Sequence, residues 1–424
     1  MKSETKQSNR REPLGFAFLW LVLFLVVEYA RPEDWIPGLE AAHLARITIV
    51  FILLALLFSS NNISWQMPRE VTFFSLLVVQ LWLAVAFSPV WRAGAFDMML
   101  GFSKVWPLVI VIYGVVRSIK RLRWILFVQA VCVAAVAIDS IISRHTSGRL
   151  TGTLSGMYEN PNDFALVIDL TLPFCLALAL TTRSYWRKLA WTIAMVAMIY
   201  ALFLTASRGG AIALVVAALV CLWQFGIKSR RFYLLLLVPV AVLVVSLYGG
   251  KALQGRFEQT NIASATNQRG TEASESAEQR KALLLKSLRV TAQYPLLGVG
   301  PGNFEIISGM WRVTHNSYTQ VSAEGGIPAF VFYVLIFWCA VTNLKDIRKY
   351  AKKGKRIELF SVALEASLAA YLVGSFFASV AYYALPYCLV ASIGALRLIV
   401  RRGRKVPSPE SQGNLTPTQA EATV

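Results

Sequence analysis

Apolar runs long enough to cross a bilayer recur along most of this chain, and they limit what it can fold into. A helix needs about 20 mostly apolar residues to cross a hydrocarbon core roughly 30 Å thick. Segments meeting that length lie near 14 to 30, 41 to 58, 71 to 87, 95 to 116, 122 to 142, 162 to 181, 186 to 205, 209 to 226, 231 to 249, 317 to 342, 359 to 380 and 384 to 400. The expected fold is therefore all-α, a polytopic bundle of about 12 transmembrane helices. With 56% of its 424 residues hydrophobic and 15% charged, the chain is too apolar for an ordinary soluble domain. The first run does not read as a cleavable signal peptide, because "RPEDWIPGLE" follows it without a small-residue cleavage pattern.

A net charge of +19 invites a nucleic-acid reading, but the placement of the charge excludes it. The basic runs "RSIKRLR", "RSYWRK", "KSRR", "KDIRKYAKKGKR" and "RRGRK" alternate with the spans. They fall on one side if every span crosses, together with the N-terminal "MKSETKQSNRR". By the positive-inside rule that side is cytoplasmic, with both termini on it. The expected layout is a cytoplasmic tail at 1–13, nine spans within 14–249 and one large external loop at 250–316 with a helix near 276–293. Three spans within 317–402 and a disordered cytoplasmic tail at 403–424 complete it. The five cysteines fall inside spans without paired spacing and read as packing residues, not as a disulfide framework or metal site.

Polar residues at the outer rim of such a bundle are informative, because burying them is costly unless something uses them. Asn160, Pro161 and Asp163 make a good helix start, and Arg149 precedes them in a glycine-rich loop. Arg208 sits between two apolar runs joined by almost no loop, in "TASRGG". It reads either as a snorkelling arginine or, beside small residues, as a bidentate phosphate contact. In the external loop, "SAEQRKALLLKSLRVTAQYP" opens on a capping-box pattern, Ser276 with Gln279, and forms a basic amphipathic helix. Arg280 would fall in its first turn, where the helix dipole disfavours a cation, a placement that points to a ligand. "PLLGVGPGNF" has the glycines of a nucleotide loop but no surrounding βαβ unit, so that reading is rejected.

The sharpest polar cluster is "THNSYTQVSAEGG". If a helix starts near Ser317, then Asn316, Gln320 and Glu324 repeat every four residues and share one face, with His315 at its outer end. The stripe reads either as helix-packing hydrogen bonds or as a site. With an ordinary imidazole pKa near 6.5, His315 is the best general-base candidate in the chain. No glycosidase-like carboxylate pair is evident in the external loops, and no HExxH zinc spacing occurs.

In this order "GRLTGTLSGMYENPND", "TASRGG", "EQR", "PLLGVGPGNF" and "THNSYTQVSAEGGIPAF" resemble the bacterial O-antigen ligase and O-antigen polymerase superfamily. The likeness covers roughly residues 140 to 335. It implies an inner-membrane glycosyltransferase working on the periplasmic face without nucleotide sugar, metal or other cofactor. The implied donor is an undecaprenyl-diphosphate-linked glycan, and the implied acceptor is lipid A-core, another glycan or a protein hydroxyl. The family's essential arginines fall on Arg208 and Arg280 and its essential histidine on His315. The arginines are then expected to stabilise the leaving diphosphate, and His315 to deprotonate the attacking hydroxyl with inversion. Arg149, Asn316, Gln320 and Glu324 are expected to assist in substrate binding. The closest reading is a ligase, with a polymerase or protein O-oligosaccharyltransferase as alternatives. A transporter of polyprenyl-linked glycans is the rival from another class, but it predicts two similar halves, and none is evident.

Overall fold

The computed structural model describes residues 15–39, 42–57, 67–144, 149–228, 268–350 and 355–405. Among them every regular element is helical. In chain order these are α1 (Gly15–Ala30), α2 (Pro32–Trp35), α3 (Leu44–Leu57), α4 (Arg69–Ala86), α5 (Arg92–Ser103), α6 (Val105–Val115), α7 (Ile119–Ile142), α8 (Pro161–Thr181), α9 (Tyr185–Leu204) and α10 (Arg208–Cys221). After them come α11 (Gln268–Gln293), α12 (Phe304–Ile307), α13 (Ser317–Tyr350), α14 (Lys355–Gly374) and α15 (Ala384–Lys405). Nine helical stretches among the described residues are long and apolar enough to cross a membrane, α5 and α6 counting together as one. The shorter apolar helices α1 and α3 stand where the first two segments are predicted. The chain is thus an all-α multi-pass membrane protein. The predicted span at 231–249, the tail at 1–13, residues 250–267 of the external loop and most of the C-terminal tail lie outside the described residues.

Burial separates the helices into a centre and a rim. In α8 and α15 78% of the spanning window is buried, against 17% in α9, whose Ile193 and Val196 face outward as lipid-facing residues should. α8 packs on α9, α14, α7 and α10, and α13 packs on α4, α11 and α15. Asn160 caps α8 by accepting from the Asn162 amide at 2.8 Å, with Pro161 in the first turn, as the sequence predicts. All five cysteines are buried and unpaired, in keeping with packing roles.

Polar pairs tie the centre together. Glu70 of α4 accepts from the Tyr113 hydroxyl at 2.6 Å and from the Asn343 amide at 2.8 Å. One carboxylate thereby links α4, α6 and α13. Near the last turns of α13, Asp346 accepts from Arg397 and pairs with Arg401.

Two departures from the expected spans shape the site. The first is a break in α13 at Gly326, whose φ of 80° and ψ of 177° lie outside the helical region, followed by Pro328. Pro328 has no N–H to donate to the Glu324 carbonyl. The glycine-rich loop supplies the missing donors: Val299 N–H reaches Ala323 O at 3.0 Å and Gly300 N–H reaches Glu324 O at 2.9 Å. Gln80 of α4 donates to Gly325 O and Leu296 O, and Ile327 N–H returns to Pro295 O. The approach is so close that a Cβ on Gly326 would sit 2.5 Å from Leu296 O, and one on Gly298 would strike the Glu324 carbonyl. "PLLGVGPGNF" is therefore the seat of a broken helix, which explains its glycines without a nucleotide.

The second departure concerns α14. A span over 359–380 is expected, but the helix ends at Gly374 and residues 375–383 turn back through the bundle before α15. The run "SFFASVAYY" is apolar enough to pass for membrane helix. Its backbone is instead satisfied by neighbours: Ser317 N–H donates to Ser375 O, the Ser317 hydroxyl to Ala378 O, and Val380 N–H to the Ser317 hydroxyl. The amphipathic helix also differs from expectation. It begins at Gln268, so Ser276 lies within it and does not cap it, and Arg280 is not in its first turn.

Candidate functional site

Arg208 opens α10, and its position is fixed by a polar node beneath it. Ser207 caps the helix, accepting from the Gly210 amide at 3.1 Å and donating to Asn162 Oδ1 at 3.0 Å. The same Asn162 oxygen accepts from Arg149 Nη2 at 2.8 Å, and Arg149 Nε donates to Thr205 O at 2.8 Å. Ala206 takes a positive φ of 49° to make this turn. Gly209 and Gly210 are needed for protein packing, because a Cβ on Gly209 would collide with Phe377 and one on Gly210 would lie 2.6 Å from Ala165. Arg208 itself is half-buried and makes no ion pair or side-chain hydrogen bond among the described residues. A guanidinium at a capped helix N-terminus is suited to an anion, since the dipole and the backbone amides point the same way.

The turn carrying His315 is built on the 375–383 segment. Thr314 hydrogen-bonds Ser379 at 3.0 Å, and Asn316 caps α13 by accepting from the Tyr318 and Thr319 amides. Between them His315 has φ 53°, a left-handed conformation that a histidine adopts only when its surroundings hold it. Phe377 meets Gly209 on one side while Ser375, Ala378 and Ser379 bind Ser317 and Thr314 on the other. One turn segment thus anchors both the Arg208 turn and the His315 turn.

α11 brings further cations over this place. It packs on the first half of α13 through Leu283 and Val290, which share a small core with Val299, Phe304 and Ala323, and through a Thr291–Ser322 hydrogen bond. Lys286 is committed to Ser308 O, and Arg312 donates to Gln279 on α11 at 2.9 Å. Burial first, and then the charges of Arg280, Arg312 and Arg149, together lower the pKa of His315 to about 4. At neutral pH the imidazole is therefore neutral, with a lone pair to offer.

Beside this basic group lies a cavity of about 230 Å³ with the opposite character. Its lining includes Glu159, Asp163, Glu305, Gln320, Glu324 and Tyr383. The Tyr383 hydroxyl donates to Asp163 at 3.1 Å. Gln320 Oε1 and Glu324 Oε2 are buried without a hydrogen-bond partner among the described residues. Buried acceptors of that kind are costly unless a ligand satisfies them. Val313 and Thr314 reach the same cavity, so its wall adjoins the His315 turn.

Residues 193–334, which hold Arg208, Arg280, His315, Gln320 and Glu324, match the family model described as O-antigen ligase. This segment is an O-antigen ligase family domain. The match covers about a third of the chain, and it is this segment that is similar to O-antigen ligases. No curated protein matches the chain.

Within and around the O-antigen ligase domain, the residues singled out in the sequence separate by what they touch. The charge of Arg280 bears on His315, and Gln320 and Glu324 share one cavity. Arg208 and His315 lie on turns that meet the same 375–383 segment, through Gly209 at Phe377 and Thr314 at Ser379. Asn316 leaves the expected stripe, because its side chain is spent on two backbone amides at the head of α13. Arg149 is a strut between the 149–150 strand of loop and the Arg208 turn, as well as a charge near His315. Arg312, Asp163, Glu305 and Tyr383 were not picked out as site residues in the sequence. Only Arg312 carried a local signal, as a second cation three residues before the histidine.

Proposed function

We propose that this protein transfers a glycan from an undecaprenyl-diphosphate carrier to an acceptor hydroxyl at the outer face of the inner membrane, with lipid A-core as the acceptor. The observation that carries this reading is the His315 turn, held left-handed beside a polar cavity, with the charges of Arg280, Arg312 and Arg149 bearing on its ring. A base and a set of cations in one place suit a reaction that removes one proton and expels one diphosphate.

In the step we infer, the acceptor oxygen attacks the anomeric carbon as the bond from that carbon to the diphosphate oxygen breaks. His315 takes the hydroxyl proton. The electron pair of the broken bond leaves with the lipid diphosphate, where Arg280 and Arg208 balance the growing negative charge. Attack from the face opposite the leaving group inverts the anomeric centre. Burial and the charged arginines hold the ring's pKa low. A bound diphosphate would offset that positive charge and raise the ring's basicity when the acceptor is present. The acidic cavity next to the His315 turn fits sugar hydroxyls, which donate to Glu324, Gln320 and Asp163.

Membranes containing the protein, lipid-linked glycan and lipid A-core test the assignment. The proposal expects acceptor-linked product and free undecaprenyl diphosphate. A ladder of lengthened carrier-linked glycan formed without lipid A-core would instead identify a polymerase.

A further inference from the structure

A second recess lies between α7, the first half of α9 and the end of α8. It encloses about 790 Å³ and is walled by Trp124, Phe127, Val131, Ala134 and Ile138 of α7, Leu178 of α8, and Trp191 of α9. Three cations, Lys120, Arg123 and Arg187, gather at one end of it. None of the three makes an ion pair with another described residue. From Lys120 to Ile138 the groove follows α7 for about 27 Å, at the helical rise of roughly 1.5 Å per residue. That exceeds one leaflet's half of a core roughly 30 Å thick.

From this arrangement we infer a binding site for an anionic phospholipid, with the phosphate at Lys120, Arg123 and Arg187 and an acyl chain laid along α7. Charge complementarity decides the occupant. Three cations at the mouth of a groove with apolar walls match a lipid that is anionic at one end and hydrocarbon at the other. Two helix N-termini, those of α7 and α9, open at the same end and add their positive dipoles to it. The aromatic walls are already ordered against each other, Trp124 with Phe127 at 5.4 Å and Phe127 with Trp191 at 5.7 Å, so a chain enters a preformed slot. The basic end coincides with "RSIKRLR" and "RSYWRK", on the side the charge asymmetry predicts to be cytoplasmic. The site therefore takes its lipid from the leaflet opposite the proposed chemistry and does not depend on that reading.

The test is lipid retention by the full-length protein, extracted in mild detergent and analysed by native mass spectrometry after exchange into nanodiscs of phosphatidylglycerol and phosphatidylcholine in equal parts. The wild type is expected to carry a bound phosphatidylglycerol. The K120Q/R123Q/R187Q variant should retain at least tenfold less. Ala135→Trp, which fills the groove and leaves all three charges in place, should lose the lipid equally, whereas inorganic phosphate should not displace it from the wild type. Equal retention by the wild type and the triple variant, or a lipid unaffected by Ala135→Trp, overturns the inference. Displacement by inorganic phosphate also overturns it, since it shows an ionic patch without a lipid slot. If the triple variant fails to fold, Ala135→Trp decides alone.

Discussion

Replacing Arg280 with Gln should raise the pKa of His315, and the size of the rise follows from what surrounds the ring. The imidazole titrates at about 4 because burial lowers it first, and Arg280, Arg312 and Arg149 lower it further in that order. Arg280→Gln removes the largest of the charge contributions and leaves burial and two arginines in place. The expected rise is about one pH unit, equivalent to ~1.4 kcal/mol of relief for the charged ring. The same depression has a consequence for stability. The folded-state pKa lies below that of the unfolded chain, so between pH 6.5 and about 4 the unfolded state holds a proton the folded state refuses. Stability from this group is complete above pH 6.5 and drains away as pH falls towards 4, by about 3 kcal/mol at most. A histidine-labelled magnetic resonance titration reads the pKa directly, since the chain has only three histidines and His315→Gln assigns the signal. An unchanged or lower pKa in Arg280→Gln would refute the influence of the Arg280 charge on the ring.

Other variants probe the scaffold and the acidic cavity. Gly326→Ala puts a Cβ 2.5 Å from Leu296 O at a φ of 80°, so it should destabilise the fold by about 3 kcal/mol or more and lower the thermal midpoint in detergent. Gly209→Ala should disable transfer by pushing the Arg208 turn away from Phe377, and Phe377→Ala should restore part of it. Additive losses in that pair would show that the contact does not position Arg208. Glu324→Gln and Asp163→Asn should each lower kcat/KM by roughly 10-fold, the loss expected when a hydrogen bond to a buried carboxyl group is weakened, while undecaprenyl diphosphate binding stays unchanged. Equal loss of diphosphate binding would remove the cavity from sugar recognition.

Much of this molecule was legible in the order of its residues. Span-length apolar runs give the membrane helices, and five short motifs place Arg208, Arg280 and His315 in one domain. The motif resemblance groups Arg280 with His315, and in the fold the Arg280 charge bears on the ring from a distant part of the sequence. Other features depend on tertiary contacts that no local pattern announces. "SFFASVAYY" reads as helix until Ser317 takes up its backbone groups. Arg149 and Asn316 look free for substrate in the sequence, whereas Asn162 and two backbone amides claim them in the fold. The acidic cavity draws its carboxylates from the loop before α8, α8 itself, α12 and α13, so no spacing rule could reveal it. The glycines of "PLLGVGPGNF" were visible, but their purpose requires seeing the Gly326 break they seat.

The central claim is that His315 removes the proton from the acceptor hydroxyl while arginines hold the departing diphosphate. A single-turnover assay of purified protein with undecaprenyl-diphosphate-linked glycan and lipid A-core, comparing wild type with His315→Ala, tests it most directly. The account predicts that the variant still binds the donor but forms acceptor-linked glycan at least a hundredfold more slowly. Transfer by His315→Ala at the wild-type rate would contradict it.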